Sequence, residues 1–315
     1  MQKNTAIIRC GAIGDLISIS SAVRSYKENH PDEHITLLCG ESCADALRRA
    51  PYIDNLITLN DTHLYEGNIF QKFITAVKAA MSIRNCTKCF ILHSDFRWEL
   101  IADLAGIPNK YSLHNNDIKK SRYKIYMEAL NGSERNDSKP VFHSESLTLP
   151  LYKAPYICIA PGGARNVKSD TPCRKWRGFQ TLIELININI NIHIVLLGSA
   201  DDSTGINNEK IIDMCGMTSL SDAYHLINAS ALFIGNDSGL LHLAACTDTP
   251  ALGVFTATSP EVVLPAASNV TSLQSPLRCS PCERQGSYKL NCGQECTGSI
   301  PPEDVFKKVL KILDM

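Results

Sequence analysis

Between Phe233 and Ala245 the chain reads FIGNDSGLLHLAA, an apolar strand that runs into Asn-Asp-Ser-Gly and then directly into an apolar helix. Strand, glycine turn and helix start together place free backbone N–H groups and the positive end of a helix dipole at one spot, which suits a phosphate. Ser238 adds a hydroxyl, Gly239 opens the turn, and His242 lies about one turn further on. The plainer alternative is that Asp237 or Ser238 only caps the helix. Upstream, Ala160-Pro161-Gly162-Gly163-Ala164-Arg165 is a second glycine-rich junction, followed by Arg174-Lys175-Trp176 just before a helix. A guanidinium and an ammonium beside such a turn suit a diphosphate, because charge-assisted bonds to phosphate oxygens are strong and geometrically matched. Otherwise the pair is a solvated basic loop, with Trp176 as a core anchor.

A third junction, Arg9-Cys10-Gly11-Ala12-Ile13-Gly14-Asp15, follows the opening strand and precedes a helix. Its spacing is not the G-x-G-x-x-G of dinucleotide folds, and no acidic residue ends the second strand to meet a ribose, so NAD is not the expected ligand. Asp15 at the helix start is placed to cap the helix, to bind a ligand hydroxyl or to act as a general base.

The elements that must hold these residues alternate along the chain. Apolar strands are predicted at Ala6–Cys10, Ile35–Cys39, Leu56–Leu59 and Phe90–His93, with helices at Leu16–Asn29 and Ile69–Ile83. The second half repeats the grammar with strands at Tyr156–Ala160, His193–Leu197, Ala231–Ile234 and Ala251–Phe255. Helices follow near Phe179–Asn187, Leu220–Asn228 and Leu240–Ala245. The fold class is α/β, with two Rossmann-like parallel-sheet domains expected to face each other across a cleft. The domains are expected at 1–148 and 149–315, with the linker within His143 to Pro155 and the last helix placed to pack back on the first domain.

Composition narrows the partners. The chain has 315 residues, a net charge of -1 and an apolar fraction of 44%, enough for two cores and without global attraction to nucleic acid or acidic membranes. No apolar run is long enough to span a bilayer, so a soluble, cytoplasmic protein is expected. Lys119, Lys120, Arg122 and Lys124 form a local basic run that suits an anionic acceptor or a solvated helix face. Of the thirteen cysteines, Cys39 and Cys158 read as small hydrophobes within strands. Cys86 and Cys89 form a lone pair. In the tail, Cys279-x2-Cys282 and Cys292-x3-Cys296 are spaced as for a structural zinc, with reduced thiols or a disulfide as the alternatives.

Taken in order, RCGAIGDL, the PGG turn with its basic pair and Trp, GNDSGLLHLAA and a closing Pro-x-x-Val helix resemble glycosyltransferase family 9, the heptosyltransferases of bacterial lipopolysaccharide. The resemblance spans nearly the whole chain. It implies the GT-B architecture, with an NDP-sugar donor, most simply ADP-heptose, on the C-terminal domain and a lipid-linked sugar acceptor on the N-terminal one. It also implies inverting chemistry that needs no metal. Asp15 matches the family's general base, with Gly14 beside it, and Arg97 falls where a basic acceptor-binding residue is expected. Lys120 and Arg122 are the further acceptor candidates. Arg174, with Lys175 as neighbour, matches the basic residue that binds the donor diphosphate, and Asp237, Ser238, Gly239 and His242 match the family's D-[ST]-G-x-x-H. Gly163 belongs to the same donor loop, Asp202 is expected at the donor ribose, and Met217 and Thr218 at the base. The chain departs from the family pattern near Ser21, where a proline is usual, and in its long Gly162–Lys168 loop.

The expected chemistry follows from these parts. Arg174, Lys175 and the helix start at Asp237–His242 neutralise the departing diphosphate, while Asp15 takes the proton of the acceptor hydroxyl from the opposite face of the sugar. The expected acceptor is an anionic lipid-linked glycan at the inner face of the bacterial inner membrane, where the protein would be peripheral, and no nucleic-acid partner is expected. Two other readings remain at this level, an NDP-sugar epimerase of the same fold and a non-catalytic nucleotide-sugar-binding module.

Overall fold

The computed structural model describes residues 3–113, 120–132, 139–148, 155–163, 165–166, 169–206, 208–266, 269–284, 288 and 292–315. The chain divides into two compact units, Met1–His143 with Arg165–Ser169, and Ser144–Ala164 with Asp170–Met315. The division falls at the head of the segment expected as linker. There the Glu145 N–H donates to Ser221 Oγ (3.0 Å), and the Thr148 N–H donates to Asp222 Oδ1 (3.1 Å), which pins this stretch to the second unit.

The first unit is built of β1 (Asn4–Ile8), α1 (Ile13–Asn29), β2 (His34–Gly40), β3 (Asn55–Leu59), α2 (Asp61–Tyr65), α3 (Ile69–Ile83), β4 (Lys88–Ile91), α4 (Phe96–Leu104), β5 (Asn109–Ser112) and α5 (Arg122–Asn131). Its sheet is parallel throughout, in the order β3-β2-β1-β4-β5. The inner strands read as continuous apolar runs because both of their faces are covered. Ala6, Ile8, Leu38, Cys89 and Ile91 meet Trp98, Ile101 and Ala102 of α4 in one core. Helix α1 is buried nearly all round, serines included. Ser18 and Ser20 offset this by donating to the carbonyls of Asp15 and Ile17 in the turn below (both 2.7 Å).

The second unit runs β6 (Tyr156–Ala160), the short pair β7 (Arg165–Asn166) and β8 (Ser169–Asp170), α6 (Phe179–Asn189), β9 (His193–Leu196), β10 (Ile211–Asp213), α7 (Leu220–Asn228) and β11 (Leu232–Asn236). It continues with α8 (Gly239–Ala244), β12 (Ala251–Phe255), α9 (Pro260–Val263), β13 (Val270–Gln274) and α10 (Pro302–Ile312). Its main sheet, β10-β9-β6-β11-β12-β13, is again parallel. Ile157, Ile159, Leu232 and Ile234 pack on Leu182, Ile183 and Ile186 of α6, and Val305 and Val309 of α10 close the same core. The final helix therefore lies on α6 of its own unit. In each sheet the strand order reverses beside the first strand, at β1/β4 and at β6/β11. The loops after those strands are where open α/β sheets bind ligands.

Candidate active site

In the second unit, β6 and β11 are neighbours with Ala160 opposite Gly235, so the PGG and NDSG turns leave the sheet side by side. Asn236 ties them together. Its Nδ2 donates to the Pro161 and Gly162 carbonyls (2.9 and 3.0 Å), and its Oδ1 accepts the Trp176 N–H (2.9 Å). One fully buried amide thus joins the glycine turn, the basic segment and the phosphate turn. An unpaired polar group there would be costly, which is why all three partners are held in register. Gly163 sits at φ +90°, and a Cβ on it would lie 2.5 Å from the Cβ of Ser238. Only glycine permits that approach. Trp176 anchors the basic segment by donating its indole N–H to the Ile300 carbonyl (2.9 Å).

Arg174 closes the short helical turn Pro172–Arg174. Its Nη2 donates to the Asp237 carbonyl (2.6 Å) and lies 2.8 Å from Asp237 Oδ2, while His242 Nε2 is 3.7 Å from Asp237 Oδ1. Burial alone would raise the Asp237 carboxyl, but the Arg174 guanidinium and His242 hold it well below the usual carboxylate range. Asp237 is therefore an ionised group that aims Arg174. Ser238 is the N-cap residue of α8, yet its side chain makes no capping bond, and its buried hydroxyl has no hydrogen-bond partner among the described residues. Ser238 therefore does not cap the helix through its side chain. Lys175 leans the other way, with its Nζ 2.7 Å from Asp170 Oδ1. Asp202 caps its own turn, accepting from the Ser199 N–H (2.9 Å) and Oγ (2.7 Å), and its carboxyl group lies where a Cβ on Gly162 would fall. Met217, 67% exposed, and the half-buried Thr218 follow β10.

In the first unit, Asp15 is the third residue of α1. Its Oδ2 accepts the Ala12 N–H (3.0 Å), and its Oδ1 takes Arg9 Nη2 at 2.6 Å with Arg122 Nη1 at 3.9 Å. The capping role is therefore real and coexists with a partly open carboxylate whose side chain is 23% exposed. Gly14 is buried in the same turn. A Cβ on Gly11, at φ +152°, would lie 2.4 Å from Asp15 Oδ2, so the loop packs against that carboxylate. Arg9 is buried at the end of β1, stacked over the Tyr126 ring at 5.6 Å. Arg97 stands in the first turn of α4, clamped to Asp95 (Nε to Oδ1 2.9 Å, to Oδ2 3.0 Å) and 4.7 Å above the Tyr65 ring. Lys120 pairs with Glu128, and Lys119 lies outside the described residues.

Arg9, Asn236 and Tyr126 carry much of this geometry and were not singled out by spacing. A signal for the first two existed, since a charge or an amide at the end of a buried apolar strand must find partners.

The tail cysteines do not behave as the zinc spacing suggested. All thirteen cysteines are free thiols, Cys279 and Cys292 are exposed while Cys296 is buried, and no group of three or more His, Cys, Asp or Glu among the described residues is placed to hold a metal. Burial and the nearby thiols of Cys282, Cys279 and Cys292 push Cys296 up, so the four lie near one another. The Cys282 N–H donates to the Ala257 carbonyl (2.9 Å), and Cys296 lies in the short helix Glu295–Gly298. Cys86 and Cys89 are both buried in the first core, and burial pushes the Cys89 thiol up to about 12.

The chain is 21% identical to lipooligosaccharide heptosyltransferase 2 of Haemophilus influenzae over 98% of its own length and 99% of the relative's. The solved structure of an ADP-heptose lipopolysaccharide heptosyltransferase II from E. coli superposes with a TM-score of 0.73 at 19% identity, covering 99% of this chain and 98% of that one. The iron-containing dodecameric glycosyltransferase TibC of enterotoxigenic E. coli gives a TM-score of 0.65 at 15% identity, covering 99% and 76%. These likenesses show the GT-B fold. The profile of glycosyltransferase family 9 (heptosyltransferase) matches residues 97–292, more than half of the chain. The protein belongs to glycosyltransferase family 9, the heptosyltransferases.

Proposed function

We propose that this glycosyltransferase moves a heptose from ADP-heptose to the core of a lipopolysaccharide, with inversion at the anomeric carbon and with no catalytic metal. The observation that carries the reading is the buried knot in which Asn236 holds the PGG turn and the Arg174–Trp176 segment to the strand end that leads into Ser238. The names of the H. influenzae and E. coli relatives supply the sugar, the adenine nucleotide and the acceptor class.

In this reading the sugar–phosphate C–O bond breaks and its electron pair leaves on the diphosphate. Arg174, aimed by Asp237, meets that charge together with the Ser238 hydroxyl and the N–H groups that open α8. The carboxylate of Asp237 itself is committed to Arg174 and His242 and does not touch the anion. Asp202 takes the ribose, Met217 and Thr218 the base, and Lys175 a second position near the phosphates. On the other face of the sugar, Asp15 accepts the acceptor's hydroxyl proton as the new C–O bond forms. A carboxylate has about four lone-pair sites, so bonds from Ala12 and Arg9 leave capacity for that proton. Arg122 and Arg97, with Lys120, offer cations to an anionic lipid-linked acceptor, and the reading has the enzyme act from the cytoplasm at the inner membrane.

Ser238→Ala tests the donor half. Because that hydroxyl has no described partner in the protein, the variant should fold normally and bind ADP roughly tenfold more weakly in calorimetry, the loss of a charged hydrogen bond. Unchanged ADP affinity would remove this turn from the donor site. Conversion of ADP-heptose without any acceptor would favour an epimerase instead.

A further inference from the structure

We propose that the outward faces of α3 and α4 dock the first unit on an anionic phospholipid surface, with Phe73 and Met81 of one helix and Phe96 and Leu100 of the other entering the boundary between headgroups and acyl chains. The proposal rests on the reading that the acceptor is lipid-linked, and it names the surface that would bring the enzyme to it.

Seven of the eleven exposed large apolar side chains among the described residues stand on these two helices: Ile69 (87% exposed), Phe70, Phe73, Met81, Phe96 (72%), Leu100 and Leu104. That concentration is not the scatter expected of an ordinary surface. The two helices pack side by side, so the patch is continuous. Helix α3 is built inside out. Its small residues Thr75, Ala79 and Ala80 face the core with Ile83, while Phe70, Phe73, Ile74, Val77 and Met81 recur at helical spacing on the other side. On α4, Phe96, Leu100 and Leu104 form one i, i+4, i+8 row, while Trp98, Ile101 and Ala102 are buried. A cavity of about 510 Å³ between α3 and the edge strand β3, reached past Phe70, Ile74 and Lys78, extends the apolar surface inward.

Charge selects the occupant. Helix α3 carries Lys72 and Lys78, with Arg84 immediately after it, and no carboxylate at all. On α4 the two acids are Glu99 and Asp103, and Asp103 is paired with Lys110, while Arg97 is paired with Asp95. A helix with apolar side chains outward and cations on its flanks lies in the plane of an anionic interface. A second copy is the poorer fit, because a two-fold contact is made by the same patch on both subunits and would bring Lys72, Lys78 and Arg84 together with their own copies, against Glu99 as the one acid of the two helices outside an ion pair among the described residues. No described helix is long and apolar enough to cross a membrane, so the contact is in-plane.

The test is co-sedimentation of the full chain with vesicles of phosphatidylglycerol and phosphatidylethanolamine, against phosphatidylcholine vesicles. Wild type should sediment with the anionic vesicles, less so at high salt, and the Phe73→Glu, Leu100→Glu double variant should bind at least about tenfold more weakly. Its melting temperature and its transfer to a lipopolysaccharide core stripped of acyl chains should match wild type. A milder Phe73→Ser, Leu100→Ser pair serves if the first fails to fold. Wild type that ignores anionic vesicles, or variants that sediment like wild type, would overturn the proposal. So would a wild-type dimer in light scattering that the substitutions split, since a second copy would then be the occupant. Transfer to the stripped acceptor without vesicle binding would sink the docking surface alone, and no transfer at all would sink the functional reading.

Discussion

Asp15 is gripped by Arg9 through one oxygen and by the start of its own helix through the other, which fixes the carboxylate without closing it off. Burying Arg9 is tolerable only because of that partner. Replacing it with Met should strand a half-buried carboxylate and lower stability by about 3 kcal/mol, read as a lower denaturation midpoint. Far from the site, Glu33 gives a cleaner electrostatic test. Burial would raise its carboxyl, but the hydroxyls of Thr5 and Tyr26 and the Lys88 ammonium bring it down from an ordinary 4.5 to about 2. A lowered carboxylate stabilises the fold fully above its unfolded value, and that contribution is lost as the pH falls through the folded value. Glu33→Gln should therefore be less stable than wild type at pH 7 by roughly 2–3 kcal/mol. The gap should close as the pH falls from 4.5 towards about 2, which urea titrations at several pH values would show.

The loops after the adjacent strands β6 and β11 are held by one buried amide. Asn236→Ala would leave the Pro161 and Gly162 carbonyls and the Trp176 N–H without their partner. A cost of about 2–4 kcal/mol is expected, together with weaker ADP binding, and calorimetric unfolding with and without ADP would read both. Gly163→Ala meets the Ser238 Cβ at 2.5 Å and should strain the loop by about 1–3 kcal/mol, again read as lost ADP affinity. Much of this level was legible from sequence. Strands β6 and β12 and helices α3 and α7 run over the residues expected, because buried parallel strands and capped helices announce themselves as apolar runs with clear ends. The misses have physical causes. Strand β5 is a polar, exposed edge segment, Asn-Lys-Tyr-Ser, and β10 has only three residues. Helix α4 points Phe96, Leu100 and Leu104 outward, which erases the one-sided period a surface helix normally shows. Asn236 and Arg9 escaped because their partners are set by which strands lie side by side, a property no local spacing carries.

For the whole molecule, family membership and the two parallel sheets agree with the motif order read from the sequence, while among the described residues no group of three or more His, Cys, Asp or Glu is placed to hold a metal. On the proposed metal-independent mechanism, transfer should persist after exhaustive treatment with EDTA and dialysis, and loss of turnover restored by one added metal would contradict that mechanism. The most direct test of the central claim is mass spectrometry of a lipopolysaccharide core acceptor after incubation with ADP-heptose and Asp15→Asn protein. The amide keeps the bond from the Ala12 N–H but cannot take a proton. The account predicts normal ADP binding with transfer reduced by about 10²- to 10⁴-fold. Transfer at the wild-type rate by Asp15→Asn would contradict it.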